Sequence, residues 1–462
     1  MDEFCKQRWW TRTPNGSNAN NEYNVNPTGA NDNNNANNSN GVAPDYKKRQ
    51  FQVTDKANAE PSCRESLSSS TKRKNHHIDA IHSESEIAGN GMPVSFADLI
   101  VAASQCRHNV MWKDSVAGFV KNRVQNCLEL ERKLADGSYC LSKYTCFKVY
   151  EPKERDIVAT NIRDRVVQRA ICNTSFYKDI THGFIYDNWA CQTGKGTTAC
   201  RKRMKQLMLR AWRMHRDETY ILKVDIKNYF GSTPHWVAKA AVRKRCTDSW
   251  VADYVYRVID SFDDVGLVGK GIGLGSQLSQ LIQLAVLDDL DHVIKEEKRL
   301  RIRCYIRYMD DMVLLGTKGQ LKEALSVIVG ELERLELRIS ERKTKLMSWR
   351  NGFTFLGFRY HFTPTGGVSM VLAKGKESAE RRKLRKQLSI LPIEEVDKCK
   401  VSWNANAIQG TDYAAIRRMN RFYAVERRKR KNEDQKENKR RDRERENHQE
   451  IASCERRLGS KT

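Results

Sequence analysis

Two adjacent carboxylates, Asp310 and Asp311, stand between two short apolar stretches, 303–307 and 312–315. Burying an ionised carboxylate is costly unless it is paired or binds a metal. A third, Asp225, ends another apolar stretch, Ile221-Leu222-Lys223-Val224, and is followed by Ile226-Lys227-Asn228-Tyr229-Phe230. Three carboxylates at the ends of neighbouring strands make a hard-oxygen cage suited to two Mg²⁺ ions roughly 3.5–4 Å apart. In such a site one ion lowers the pKa of an attacking 3′-hydroxyl, and the other holds a triphosphate and its departing pyrophosphate. Taken alone, Asp310-Asp311 reads equally as an exposed hairpin turn, where Asp is common. Asp225 shifts the balance toward the metal site.

The elements that must position these groups follow from periodicity. Apolar residues at helical spacing begin near Phe96 and recur through Phe119, Val124, Cys127 and Leu134. Strands are predicted over 146–150 and 157–162, and a helix over 163–173. Thr233-Pro234 reads as a helix start, with the hydroxyl as N-cap and Pro at the first helical position. Residues 280–294 and 321–337 read as helices, and 353–360 returns to strand. The absence of regular βαβ alternation argues for an α+β fold. Residues 374–425 are basic and helical, with Trp403 and Tyr423 as packing anchors. Eleven basic and seven acidic residues, with no apolar ones, fill Glu426 to Glu446, so that stretch is a solvated tail or a single exposed helix.

Composition restricts the partners. Among 462 residues there are 82 Lys and Arg against 57 Asp and Glu, a formal charge of +25. That excess favours a polyanion, nucleic acid or an anionic membrane face, over an ordinary metabolic substrate. No apolar run approaches the ~20 residues of a membrane span. The acidic start Met1-Asp2-Glu3 lacks signal-peptide order. Thirteen cysteines without a Cys-x-x-Cys pair read as reduced thiols of a cytoplasmic protein. Half of the residues from Asn15 to Asn40 are Asn, too little apolar area to offset ordering entropy. The expected organisation is an Asn-rich segment 1–45, a polar linker 46–95, units 96–215, 216–365 and 366–425, and a charged tail 426–462.

Together these residues resemble the reverse transcriptases, right-hand polymerases with a Tyr-x-Asp-Asp box, here Tyr308-Met309-Asp310-Asp311. The resemblance spans about 96–425 and implies fingers (96–215), palm (216–365) and thumb (366–425). It implies catalytic Asp225, Asp310 and Asp311, and a metal set of Asp225, Ile226, Asp310 and Asp311. Arg155-Asp156-Ile157 through Arg163 to Ala170 is similar to the fingers of group II intron-type enzymes. That similarity implies Arg155, with Lys153, on the incoming triphosphate, which suits the bidentate chemistry of Arg, and Arg163 on the template. Gly194-Lys195-Gly196-Thr197 resembles the lineage's turn before the palm, with Lys195 as a template-backbone contact; Gly-Lys-Gly alone is a weak signal. Phe230 matches the aromatic steric gate that leaves no room for a 2′-hydroxyl, the atom any RNA/DNA discrimination must address; without the motif it is a core aromatic. Lys343-Thr344 and 353–358 resemble the last palm motifs and the primer grip. Lys343 could protonate pyrophosphate or be an ordinary surface Lys.

Most reverse transcriptases carry Gln-Gly-x-x-x-Ser-Pro at the position of 274–280; here Leu274 replaces the Gln and Gln280 the Pro. An aliphatic residue followed by Gly275-x-x-x-Ser-Gln resembles the enzymes of diversity-generating retroelements. In them this segment lies against the nascent base pair, and copying errs opposite template adenine. The Arg8-Trp9-Trp10 start and Asn-rich run resemble the variable tail of lectin-like retroelement targets, although a plain low-complexity Asn tract is the alternative. The expectation is therefore an error-prone RNA-directed DNA polymerase using two Mg²⁺, deoxynucleotides and a template-repeat RNA in an RNA/DNA hybrid. A basic accessory variability protein is the expected partner, and no membrane is expected. The rivals are a defence-associated or group II intron-derived reverse transcriptase, and a non-catalytic RNA-binding protein on the same scaffold.

Overall fold

The computed structural model describes residues 92–150 and 154–459. The Asn-rich segment, most of the linker and Lys153 lie outside them. The chain divides into two compact units, up to Leu346 and from Met347 on, a division within the stretch read as 216–365.

The first unit opens with helices α1 (Phe96–Cys106), α2 (Asp114–Lys121) and α3 (Arg123–Ala135). Ser95 and Asp98 form a reciprocal capping box on α1, so the start near Phe96 has a local cause. An antiparallel hairpin follows, β1 (Thr145–Val149) and β2 (Arg155–Ala159), with Val149 opposite Arg155. The predicted second strand was placed too far on: Asn161 caps the next helix, α4 (Ile162–Ile171), by accepting from the Arg163 N–H. A π-turn over Cys172–Phe176 leads into α5 (Tyr177–Thr181), and α6 (Thr197–His215) precedes the central sheet.

That sheet has β3 (Tyr220–Asp225), then β4 (Cys304–Tyr308) and β5 (Asp311–Gly316), with a short edge strand β6 (Lys345–Ser348), in the order β4-β5-β3-β6. Between β3 and β4 lie α7 (Tyr229–Ser232), α8 (His235–Arg245), α9 (Ser249–Asp260), α10 (Gln277–Val286) and α11 (Asp288–Glu296), and α12 (Lys318–Arg334) follows β5. Two expectations are corrected here. Thr233 does not cap α8: Pro234 holds the N-cap position, and the Thr233 hydroxyl turns inward to Tyr229 O and Gln283 Oε1. The single helix expected over 280–294 is two, broken at Leu287 (φ −100°, ψ 8°). Asp288, Asp289 and Asp291 suit the first turn of a new helix, where the macrodipole favours negative charge.

The second unit carries a three-stranded antiparallel sheet, β7 (Phe353–Phe355), β8 (Phe358–Phe362) and β9 (Val368–Leu372). The single strand expected over 353–360 is thus a hairpin. Leu356 (φ 45°) and Gly357 (φ 84°) both take the left-handed conformation that a tight two-residue turn requires. Helices α13 (Lys376–Leu388), α14 (Ile393–Ala407) and α15 (Tyr413–Gly459) enclose a small core holding Trp403 and Tyr423 as expected. The charged tail continues α15 as a helix exposed along most of its side chains through 449.

The described strand pairs are antiparallel, and helices and strands are mixed, as in an α+β fold. No helix among the described residues is long and apolar enough to cross a membrane. Nine described cysteines, Cys127 and Cys304 among them, stand outside any disulfide.

Candidate active site

β3 and β5 pair so that Asp225 stands directly opposite Asp311, and β4 places Tyr308 on the other side of Asp311. Facing residues of an antiparallel pair have Cα atoms about 4.5–5.5 Å apart, and like charges there destabilise the sheet. The two carboxylates therefore demand a cation. Lysines meet part of that demand: Lys343 Nζ donates to Asp225 Oδ1, and Lys223 Nζ lies 3.9 Å from Asp311 Oδ1. Asp225 is 6% exposed, so its charge is held largely away from water. Its backbone is held as well. Ser340 N–H donates to Asp225 O at 2.7 Å, starting the 340–344 turn that brings Lys343 back to the carboxylate. Ile226, next along, bridges to Ile339.

Asp310 sits half-buried in the turn after Met309, which adopts φ 62° although it is not glycine. Something must fix that strained turn, and Arg307 does. Wholly buried, it donates from Nη1 to Met309 O (3.1 Å) and from Nη2 to Leu284 O (3.2 Å). Its Nε and Nη2 reach the Asp291 carboxylate at 2.7 and 2.5 Å, and Tyr305 OH donates to the same carboxylate at 2.6 Å. Burial alone would lower the Arg307 pKa, but Asp291 overrides it and the guanidinium stays charged. Sequence reading missed this network. Its signal was an Arg inside the otherwise apolar Cys304-Tyr305-Ile306 strand, beside the box.

The three carboxylates thus supply hard-oxygen donors of the kind a divalent cation takes. As the side chains stand, no three His, Cys, Asp or Glu groups among the described residues converge on one metal position. Asp225 and Asp311 are brought together; Asp310 is adjacent in sequence to the pair.

The Leu274–Gln280 segment docks on β2. Val158 N–H donates to Leu274 O at 3.0 Å, and a Cβ on Gly275 would lie 2.2 Å from Val158 O, so only glycine permits that approach. Ser276 then caps α10 by accepting from Ser279 N–H. On α10, Gln280 is 4% exposed and its Oε1 has no hydrogen-bond partner. Arg155 opens β2, three residues before Val158 on the strand that carries this segment. Phe230, in α7, is half-buried, and Ile272 N–H donates to its carbonyl at 2.7 Å.

Two basic residues are committed internally. Arg163 donates to Cys140 O at 2.6 Å and lies over the Tyr139 ring. Lys195 Nζ donates to Tyr186 O and Asn188 O, both at 2.9 Å. Burial pushes its ammonium down to about 8, while Asp187 and Asp291 pull the other way.

Residues 150–360, which hold all of these groups except Tyr139 and Cys140, match the family model described as reverse transcriptase (RNA-dependent DNA polymerase). This stretch is similar to a reverse transcriptase domain. Protein YkfC of Escherichia coli (strain K12) is 26% identical, over 46% of this chain and 65% of that protein, so the chain spans somewhat under two thirds of this curated relative. A solved telomerase of Candida albicans, in complex with a fragment of telomeric RNA, is similar at 9% identity and a TM-score of 0.38. That match covers 62% of this chain and 54% of the other.

Proposed function

We propose that this protein is an RNA-directed DNA polymerase with fingers, palm and thumb, of the diversity-generating retroelement type. The observation that carries the reading is the register of β3 on β5, which opposes Asp225 to Asp311 inside a stretch similar to a reverse transcriptase domain. Asp225, Asp310 and Asp311, with Ile226, would hold two Mg²⁺, which when bound activate the primer hydroxyl and neutralise the triphosphate. Lys343, which donates to Asp225 Oδ1, would stand as the proton donor to a leaving pyrophosphate. Arg155 and Lys153 reach the triphosphate. The charge of +25 suits an RNA/DNA hybrid. A template-repeat RNA and a basic accessory protein complete the assignment.

Primer extension on an RNA template, with deoxynucleotides and Mg²⁺, tests the activity, and Phe230→Ala tests the gate. The Phe230→Ala protein should accept ribonucleotides, because the missing ring opens space for the 2′-hydroxyl. An unchanged ratio of deoxynucleotide to ribonucleotide incorporation would make Phe230 a core aromatic only.

The retroelement assignment turns on Leu274 and Gln280. An aliphatic Leu274 where most of the family carries Gln makes a less exacting pocket than a polar amide would. A difference of ~1.4 kcal/mol in transition-state binding changes misincorporation tenfold. Errors should concentrate opposite template adenine in complementary DNA copied from a defined RNA, and Leu274→Gln should reduce them. The adenine bias comes from the family resemblance. Uniformly low error at all four template bases in the wild type would remove the retroelement assignment and leave a group II intron-like polymerase.

A further inference from the structure

Phe230 can exclude a 2′-hydroxyl only if its ring is held in place, and its own element cannot hold it. Helix α7 is a single turn of four residues, entered from Asn228 in the left-handed conformation (φ 46°) and without a side-chain cap. A turn so short has no stability of its own. Its order must come from tertiary bonds, and among the described residues those of 229–233 come from one stretch of chain, residues 271–283.

On one side, the loop before Leu274 grips the backbone. Ile272 N–H donates to Phe230 O at 2.7 Å, and Gly271 N–H to Thr233 O at 2.8 Å. On the other side stands Gln283. Tyr229 OH donates to the Gln283 main-chain carbonyl at 2.5 Å, and Thr233 Oγ1 lies 3.0 Å from Gln283 Oε1. Gln283 is wholly buried on α10, flanked by Leu281, Ile282, Leu284, Ala285 and Val286, all buried. An amide in such a place costs free energy unless it is hydrogen-bonded, and an apolar side chain there would not. Its one side-chain partner is Thr233; its Nε2 has none. The Thr233 hydroxyl has a single proton and two acceptors, Tyr229 O at 2.8 Å and Gln283 Oε1. Turning the amide over lets Gln283 donate while Thr233 donates to Tyr229, so the link survives in either orientation.

Gln283 lies three residues beyond Gln280, one turn further along the same helix. The helix carrying the base-pair segment is therefore tied to the segment carrying the sugar gate. We propose that Gln283 is a positioning residue for sugar selection, fixing Phe230 through Thr233 and Tyr229. This rests on the reading of Phe230 as the gate. A site built to reject one oxygen atom fails when its supporting contacts let it shift by ~1 Å, so loosening this tie should widen the gate without removing the ring.

The test measures kcat/KM for a deoxynucleotide and for its ribonucleotide on one RNA-primed template, using the full-length protein. Gln283→Met keeps the volume and the main-chain carbonyl but loses the amide; Thr233→Val removes the same link from the other end. Each should lower the deoxy-to-ribo ratio about fivefold, corresponding to ~1 kcal/mol. The double variant should lower it no further than Thr233→Val alone, which already removes the Gln283 link together with the hydroxyl's bond to Tyr229 O. Thr233→Ser, which restores the hydroxyl, should hold the wild-type ratio. Should Gln283→Met fail to fold, Thr233→Val against Thr233→Ser decides alone. Equal losses on both sugars would make Gln283 a packing residue and overturn the proposal. A ratio that falls in Phe230→Ala but not in Gln283→Met or Thr233→Val would overturn the proposal while leaving the gate standing. A ratio unmoved even by Phe230→Ala would remove the gate and the proposal with it.

Discussion

Asp310→Asn and Asp225→Asn proteins are expected to lose Mg²⁺-dependent primer extension by on the order of 10³-fold, with RNA affinity close to wild type. A metal contributes several kcal/mol of transition-state charge stabilisation, and every 1.36 kcal/mol is tenfold in rate. Asparagine keeps the shape of the side chain and removes one negative oxygen, so the change is to the ligand set and not to the packing. A second readout separates metal loss from misfolding. Asp225 opposes Asp311 across the β3–β5 ladder but also pairs with Lys343, so Asp225→Asn relieves a like-charge contact while giving up an ion pair, and the metal-free melting temperature should change little. Any rise in melting temperature on adding Mg²⁺ to the wild type should vanish in the variant, because a ligand stabilises only the state that binds it. Substantial extension by Asp310→Asn would defeat the active-site assignment.

Strands β3 and β5 were legible because each is a short apolar run bounded by a carboxylate, Asp225 closing the one and Asp311 opening the other. What the pattern could not supply was register, and register is what makes Asp225 and Asp311 neighbours. The errors have a common origin. Thr233-Pro234 carries a local helix-start signal, yet a tertiary acceptor on Gln283 drew the hydroxyl inward. The break at Leu287 was hidden because apolar spacing runs on across it, while the acidic turn that restarts the helix reads as an ordinary polar face. Buried polar residues were the least legible. Periodicity indicates that Gln283 and Arg307 face inward, but not which groups meet them there. The Leu274-Gly275 motif was visible as a departure from a pattern. Only the close approach of Gly275 to Val158 O gives its glycine a physical cause.

Arg307 provides the largest expected effect on stability. Removing one partner of a buried ion pair leaves the other charge stranded, at a cost of about 3–5 kcal/mol. Arg307→Met is expected to do this to Asp291, which would keep only the Tyr305 hydroxyl of its present side-chain donors. For a unit of this size such a loss lowers the melting temperature by roughly 10 °C. Replacing both charges, Arg307→Met with Asp291→Leu, should recover most of that stability, since a buried pair and an apolar pair of similar volume are nearly equivalent. Activity should not recover with it. Met309 holds φ 62° under the Arg307 Nη1 bond to its carbonyl, and that bond is absent in both variants. The double variant should therefore melt near wild type while extending primers at least about tenfold more slowly, the scale of one lost positioning contact. Melting of Arg307→Met at the wild-type temperature would contradict the stability argument. A double variant that extends primers at the wild-type rate would show that the Asp310-Asp311 turn holds its shape without Arg307, and that the pair serves packing alone.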